Sequence, residues 1–140
     1  MVMPKLSITA GYIPEDMNPQ GFRVVPDVLE HSAQLYADDH AFTSFGRTLS
    51  FTELDRLSAA FAVYLQKETD LQPGDRIAIQ LPNLIQNPVV LYGALRAGLI
   101  VVNTNPLYTT QEMRHQFCDS GAKALIIHKS MVHNVEKILG

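Results

Sequence analysis

The amino-acid sequence predicts an α/β fold, because short apolar strands alternate with helical segments along its second half. Three runs have the length and composition of strands: Arg76–Leu81, Leu99–Val102 and Ala124–Ile127. A helical pattern separates each run from the next and is long enough for the crossover that parallel strands require. Continuous apolar runs of this kind are typical of strands buried on both faces. The pattern therefore indicates a Rossmann-like parallel sheet with flanking helices.

Turn and capping residues mark the ends of the first crossover. The first strand follows the turn signal Pro73-Gly74-Asp75. The helix predicted over Asn87–Ala97 is apolar on nearly every side and is followed by Gly98, which is suited to a left-handed C-terminal position. We expect this helix to be buried.

The second crossover is predicted as a helix over Thr109–Ser120. Its first residue and Glu112 have the spacing of a capping box, and Gly121 supplies the stop. Met113 and Phe117 form the stripe that should face the sheet.

A small β-hairpin and a long helix are predicted before the sheet. The segments Ala41–Ser44 and Thr48–Ser50 flank Phe45-Gly46-Arg47, which predicts two strands joined by a glycine-containing turn. A second capping-box pattern, from Ser50 to Glu53, begins an amphipathic helix that continues to about residue 67.

Two further helices are predicted near the ends of the chain. Residues 25–36 form a short amphipathic pattern in which Pro26 is tolerated in the first turn. Met131, Val135 and Ile138 begin a last helical pattern that reaches the end of the sequence. The predicted organisation is an extended N-terminal arm over residues 1–24 and a partial α/β subdomain over residues 25–140.

Composition narrows the class of protein. The chain has 140 residues, of which 46% are hydrophobic, and a net charge of -3 with no cluster of basic residues, which argues against nucleic-acid binding. The N-terminus has no continuous apolar segment of the kind found in secretory signals. The longest apolar tract, Val89–Val102, is interrupted by Arg96 and is shorter than the roughly 20 residues of a membrane span. We expect a cytoplasmic protein without a transmembrane segment.

No residue pattern in the sequence predicts catalysis or a metal site. The five histidines are scattered without metal-ligand spacing, and Cys118 lies beside Phe117 on a predicted helix, where a small buried apolar residue is the expected role. A dinucleotide site would place G-x-G-x-x-G directly after the first strand, but Pro82-Asn83 follows there. We therefore predict no catalytic, cofactor-binding or metal-ligating residue in this chain.

Two polar loops follow predicted parallel strands, and this is the edge at which open α/β sheets bind ligands. They are Pro82-Asn83 and the segment Asn103-Thr104-Asn105-Pro106. In the alternative interpretation, the asparagines cap the next helix or make Asx turns before proline. Of the two loops, the second is the better candidate, and Asn103 and Asn105 are the residues predicted to lie near a substrate.

The order and spacing of several short motifs resemble one enzyme family. The segments are FTELDRLSAAFAVYLQ, then QPGDRIAIQLPN, then YGALRAGLIVVNTNPLYTTQEMRHQFCDSGAKALI. Each motif is weak alone, but together they resemble the opening of the adenylate-forming, AMP-binding enzymes, and most closely the bacterial long-chain fatty acid CoA ligases. The early segment Ile13–Pro19 resembles the same subgroup.

The resemblance implies that the chain is an incomplete N-terminal part of the large domain of an acyl-activating enzyme. The parent enzyme would activate a long-chain fatty acid with ATP and Mg²⁺ as an acyl-adenylate and would then transfer the acyl group to CoA. In that family the nucleotide-binding motifs and the mobile lysine follow the region matched here, so the isolated chain is expected to be inactive and to bind none of these cofactors. A cytoplasmic location is implied, or a peripheral one at the inner membrane.

A second hypothesis is a stand-alone α/β module that binds a partner or a lipid without chemistry. The alternatives differ in what the downstream reading frame encodes, since a truncated ligase requires the frame to continue into a Thr-, Ser- and Gly-rich loop. A sheet cut after its third parallel strand would leave apolar faces uncovered, so the isolated chain is expected to self-associate.

Overall fold

A computed structural model describes residues 21–139 of the chain. It contains five helices, α1 to α5, and five strands, β1 to β5, in the described part of the chain. In chain order they are α1 Val25–Leu35, β1 His40–Ser44, β2 Arg47–Ser50, α2 Phe51–Glu68, β3 Arg76–Gln80, α3 Gln86–Arg96, β4 Ile100–Asn103, α4 Thr110–Ser120, β5 Ala124–Ile127 and α5 Val132–Leu139, with a 3-10 turn at Lys129–Met131 before α5. Most of the predicted arm, residues 1–20, lies outside the described residues.

The strands form two sheets. Strands β1 and β2 pair as an antiparallel hairpin, and β3 lies between β4 and β5 in a three-stranded parallel sheet. In the register of this sheet, Ile77 lies opposite Val101 on one side and Ala124 on the other. The predicted fold class is therefore confirmed, with both parallel connections made through a helix.

The hairpin turn is tighter than the sequence predicts. Phe45 and Gly46 both have positive φ angles, 49° and 74°, and Arg47 already belongs to β2. Two central residues with positive φ define the turn that matches the twist of a hairpin. Phe45 adopts this conformation although a side chain there is strained, so the turn geometry overrides its local preference.

Only one of the three parallel strands is buried on both faces, which corrects the prediction for the other two. Residues Ile77–Gln80 of β3 are all buried, whereas Ile100 of β4 is 47% exposed and every residue of β5 is half-buried. A three-stranded sheet has two edges, and the edge strands are covered less completely than the strand between them. The apolar composition of the edge strands therefore does not predict their burial.

Helix α3 is also less buried than predicted. Pro88, Gly93 and Ala94 are buried, while the larger apolar side chains around the helix are half-buried. Its contact with α2 is very close, because a Cβ atom placed on Gly93 would lie 2.7 Å from Cδ1 of Phe61 and 2.9 Å from the carbonyl oxygen of Ser58. This glycine lets the two helices approach each other.

The predicted helix caps are confirmed. Ser50 Oγ accepts a hydrogen bond from the Glu53 amide at the start of α2, and Thr109 Oγ1 accepts one from the Glu112 amide at the start of α4. Gly121 ends α4 in the left-handed conformation, with φ 64°. These positions are local in sequence, which is why the capping patterns predict them correctly.

Candidate functional site

The carboxyl ends of β3 and β4 lie side by side. The loops that follow these two strands lie at the carboxyl edge of the sheet, which is the side at which its parallel strands end. The first loop connects β3 to α3 over residues 81–85, and the second connects β4 to α4 over residues 104–109. Open α/β sheets bind ligands at this edge. The structure therefore places both sequence-predicted loops where a ligand site is expected.

The first loop is held by the side chain of Asn87, in the first turn of α3, rather than by that of Asn83. The Asn87 side-chain amide donates to the carbonyl oxygens of Leu81, at 3.3 Å, and Pro82, at 3.4 Å. Asn83 is exposed, and its carbonyl oxygen accepts a hydrogen bond of 2.8 Å from Ser44 Oγ of the hairpin. Helix α3 begins without a side-chain cap, so the alternative in which Asn83 caps the helix is not observed.

The contact from Ser44 brings the hairpin against the start of α3 and encloses a groove. The groove has a volume of about 350 Å³ and is mainly apolar. Its lining includes Phe42, Thr43, Asn83, Asn87, Leu91 and Tyr92. The sequence does not predict this groove, because its two walls are about 40 residues apart along the chain.

The second loop is joined to the sheet by a main-chain hydrogen bond and to itself by two hydrogen bonds to Asn105, one of them to its side chain. The buried residue Thr104 donates its amide to the carbonyl oxygen of Ile79 at 2.9 Å, which extends the pairing of β4 with β3. Asn105 Oδ1 accepts from the amide of Leu107 at 2.9 Å, and the Asn105 carbonyl oxygen accepts from the amide of Tyr108 at 3.1 Å. Asn105 therefore makes the Asx turn that the alternative interpretation predicts.

The two predicted site residues, Asn103 at the end of β4 and Asn105 in the second loop, are both exposed, but they differ in their contacts. Within residues 21–139 the Asn103 side chain has no hydrogen-bond partner, whereas the Asn105 side chain is used by its own turn. Leu107 lies between them and the helix and is 87% exposed. The loop thus presents an amide side chain and an apolar side chain on a fixed backbone.

Two glutamines that sequence reasoning did not select also hold the second loop. Gln80, at the end of β3, donates from Nε2 to the carbonyl oxygen of Asn105 at 3.1 Å, and Gln116 of α4 donates from Nε2 to the carbonyl oxygen of Asn103 at 3.1 Å. Gln80 is only 1% exposed. In the sequence, Gln80 could have been selected because it is a polar residue at the end of an otherwise apolar strand. The fold buries this strand on both faces.

Two carboxyl groups have a lowered pKa: Asp75, just before β3, and Glu112, in the first turn of α4. The pKa of Asp75 lies below its ordinary value of 3.8, mainly because the Gln72 amide donates to the carboxylate, and further because Lys123 lies 2.7 Å away. The pKa of Glu112 lies below its ordinary value of 4.5, because the amide and the hydroxyl group of Thr109 both donate to it. The Asp75 carboxylate links the segments that precede β3 and β5, whereas the Glu112 carboxylate belongs to the capping box of its own helix, α4.

We expect acid to destabilise the protein partly through these two carboxylates. A carboxyl group whose pKa is lowered on folding contributes stability above its unfolded pKa and loses it as the pH falls through the folded pKa. The free energy of unfolding should therefore fall as the pH drops below about 4. Urea melts from pH 6 to pH 3 measure this fall.

The matched control for the acid effect is the double variant Asp75→Asn, Glu112→Gln, which should be less stable at pH 6 and show a shallower decline below pH 4. If the variant and the parent chain lose stability in parallel over that range, other groups are responsible for the acid effect.

Other sequence predictions concern single residues and absences. Cys118 is exposed rather than buried, although it lies on α4 beside the half-buried Phe117. Within residues 21–139, no three His, Cys, Asp or Glu side chains come together as metal ligands. No helix in the same part of the chain is long and apolar enough to cross a membrane.

A family model for AMP-binding enzymes matches residues 29–140, which is most of the chain. The fold agrees with this match, since it has the parallel sheet and the hairpin that the sequence periodicity predicts and that the family resemblance implies. The chain belongs to the AMP-binding enzyme family.

Among relatives, the chain is 47% identical to a long-chain-fatty-acid–CoA ligase of Salmonella typhimurium over 127 residues, which are 91% of this chain and 23% of that protein. It is 42% identical to the ligase of the same description from Haemophilus influenzae over 118 residues, 84% of this chain and 21% of that protein. The chain thus spans less than a quarter of the length of these curated relatives.

A solved structure supports the fold assignment. The benzoate CoA ligase of Burkholderia xenovorans LB400 superposes with a TM-score of 0.78 at 25% identity, over 84% of this chain and 24% of that one. The hairpin and the parallel sheet are thus similar to part of a much longer protein.

Proposed function

We propose that this chain is the N-terminal portion of an ATP-dependent ligase that activates a long-chain fatty acid as an acyl-adenylate and transfers it to CoA. The observation that supports this most strongly is the 47% identity over 91% of the chain to a long-chain-fatty-acid–CoA ligase. Identity at this level covers the hairpin, the parallel sheet and both loops at its carboxyl edge.

The proposed reaction has two steps. The fatty acid carboxylate attacks the α-phosphorus of ATP and pyrophosphate leaves, with Mg²⁺ accompanying the nucleotide. The CoA sulfur then attacks the acyl carbonyl carbon, and AMP leaves with the electrons of the broken mixed-anhydride bond. No catalytic residue or metal ligand of this chain is assigned to either step.

The part of this chain in the proposed enzyme is to build one wall of the site. Strand β3 and the main-chain hydrogen bonds of the second loop hold Asn103 and Asn105 at the sheet edge. We propose that Asn103, whose side chain is exposed at this edge, lies near the substrate, and that Asn105 maintains the shape of the loop.

The full-length ligase that contains this chain should form palmitoyl-CoA from palmitate, ATP and CoA, with one AMP and one pyrophosphate released for each thioester. Coupled assays of AMP and thioester measure this directly. Benzoate serves as a control substrate, because the fold is shared with a benzoate CoA ligase. The 140-residue chain alone should give no palmitate-dependent pyrophosphate exchange, since adenylation requires preorganised charge stabilisation that no segment here supplies.

Turnover of benzoate in preference to palmitate would contradict the proposed substrate class. A full-length protein that releases no AMP with any carboxylic acid would contradict the proposed reaction. Exchange activity of the isolated chain would show that it contains catalytic residues that have not been assigned.

A further inference from the structure

The loop at the end of β4 is held by two side chains that come from different elements. Gln80 Nε2 donates to the carbonyl oxygen of Asn105, and Gln116 Nε2 donates to the carbonyl oxygen of Asn103. The two accepting residues are separated by Thr104, which is itself bonded to Ile79. The loop is therefore fixed from the strand on one side and from α4 on the other.

The amide oxygen of each glutamine is buried and has no hydrogen-bond partner among the described residues. Within the described residues, the buried side-chain polar atoms that lack a hydrogen-bond partner are Gln80 Oε1, Gln116 Oε1 and Arg96 Nε. Two of the three thus belong to the glutamines at this loop. Their amide orientation is determined by the contacts, because rotating either amide would place its oxygen against a carbonyl oxygen.

The fold does not need Gln80 to satisfy the carbonyl oxygen of Asn105. The Asn105 carbonyl oxygen also accepts from the Tyr108 amide, and the Thr104 amide is bonded to Ile79. An apolar side chain of similar length at Gln80 would fill the same space without leaving a buried acceptor unpaired. Unpaired buried acceptors are unfavourable, so two of them beside one loop point to a hydrogen-bond donor that the described residues do not supply.

We propose that Gln80 and Gln116 are positioning residues that fix the main chain at Asn103 and Asn105, so that the loop meets a substrate at the carboxyl edge of the sheet. Their free oxygens accept hydrogen bonds from an N–H or O–H donor when the site is filled. The inference rests on the proposed ligase function, because it concerns the substrate of that reaction. It adds two residues to a site that sequence patterns assign only to asparagines.

The test compares Gln80→Met and Gln116→Met with Gln72→Met in the full-length ligase. Gln72 is the matched control, since it is an exposed glutamine that precedes β3, on the side of the sheet away from the two loops. Its side chain donates only to the carbonyl oxygen of Asp70. We expect kcat/KM to fall about tenfold or more in the first two variants, because a displaced loop misplaces the substrate. The melting midpoint should change little, and the control should behave like the parent enzyme.

The kinetic readout separates positioning from stability. A displaced loop raises KM for the one substrate that the loop contacts, whereas partial unfolding lowers the active fraction and leaves the KM values of fatty acid, ATP and CoA unchanged. Hydrogen exchange of a peptide covering residues 104–109 provides a second readout that does not depend on activity. Faster exchange is expected in the first two variants and not in the control.

A loss of kcat in step with the melting midpoint, with all three KM values unchanged, would overturn the proposal. So would unchanged kinetics in both variants, or an equal loss in Gln72→Met. If the parent enzyme makes no thioester, the proposed function fails, and hydrogen exchange alone decides whether the glutamines hold the loop.

Discussion

Replacing Gly93 with Leu should destabilise the protein by about 3 kcal/mol, because the contact between α2 and α3 at this position has no room for a side chain. Even a Cβ atom at this position would lie 2.9 Å from the main-chain oxygen of Ser58. A side-chain neighbour such as Phe61 can rotate, but a backbone atom in the middle of α2 cannot move without moving the helix. Urea denaturation of the variant and the parent chain measures the loss.

The matched control for this prediction is Gly21→Leu, since a Cβ atom at Gly21 meets nothing within 4 Å. The control should unfold within about 0.5 kcal/mol of the parent chain. Equal stability of Gly93→Leu and the control would contradict the close contact of Gly93 with the main chain of α2.

Replacing Leu54 with Ala should also cost about 3 kcal/mol, because Leu54 is fully buried, with 0% exposure, in the core cluster between α1, β2 and α2. The cluster joins Leu29 of α1 and Leu49 of β2 to α2, and the half-buried Ile85 and Tyr92 pack against it. A cavity here would loosen the hairpin from α3, and with it one wall of the groove beside the first loop. Thermal and urea melts measure the expected loss.

Leu107→Ala is the control for Leu54→Ala, since it makes the same change at a position that is 87% exposed. It should alter stability by less than about 0.5 kcal/mol. If both variants lost the same stability, burial would not explain the effect of Leu54.

Local signals in the sequence predicted most of the helix and strand positions. The capping boxes at Ser50 and Thr109 and the stop at Gly121 were correct, because a cap is made by residues within four positions of each other. The parallel sheet followed from apolar runs separated by helices, and the family followed from the order of short motifs. The arm over residues 1–24 and the self-association of the chain remain predictions.

The candidate site was predicted only in part. The sequence located the loop that contains Asn103 and Asn105, since any polar segment after a parallel strand falls at the ligand edge. It did not separate their roles, because the Asx turn at Asn105 and the free side chain of Asn103 depend on the path of the loop. It also did not select Gln80, which becomes notable only when the fold buries it.

The sequence by itself therefore determined the order of elements and the parallel sheet, because these depend on periodicity and on neighbours along the chain, while its motifs gave the resemblance to the family that the AMP-binding model then matched. Tertiary structure alone decided which strands are buried, how closely α2 and α3 approach, and which side chains hold the second loop. Gln80 and Asn105 are 25 residues apart in sequence, and Gln116 comes from a third element. Contacts of this kind form only when the sheet brings strand ends together, so no local pattern encodes them.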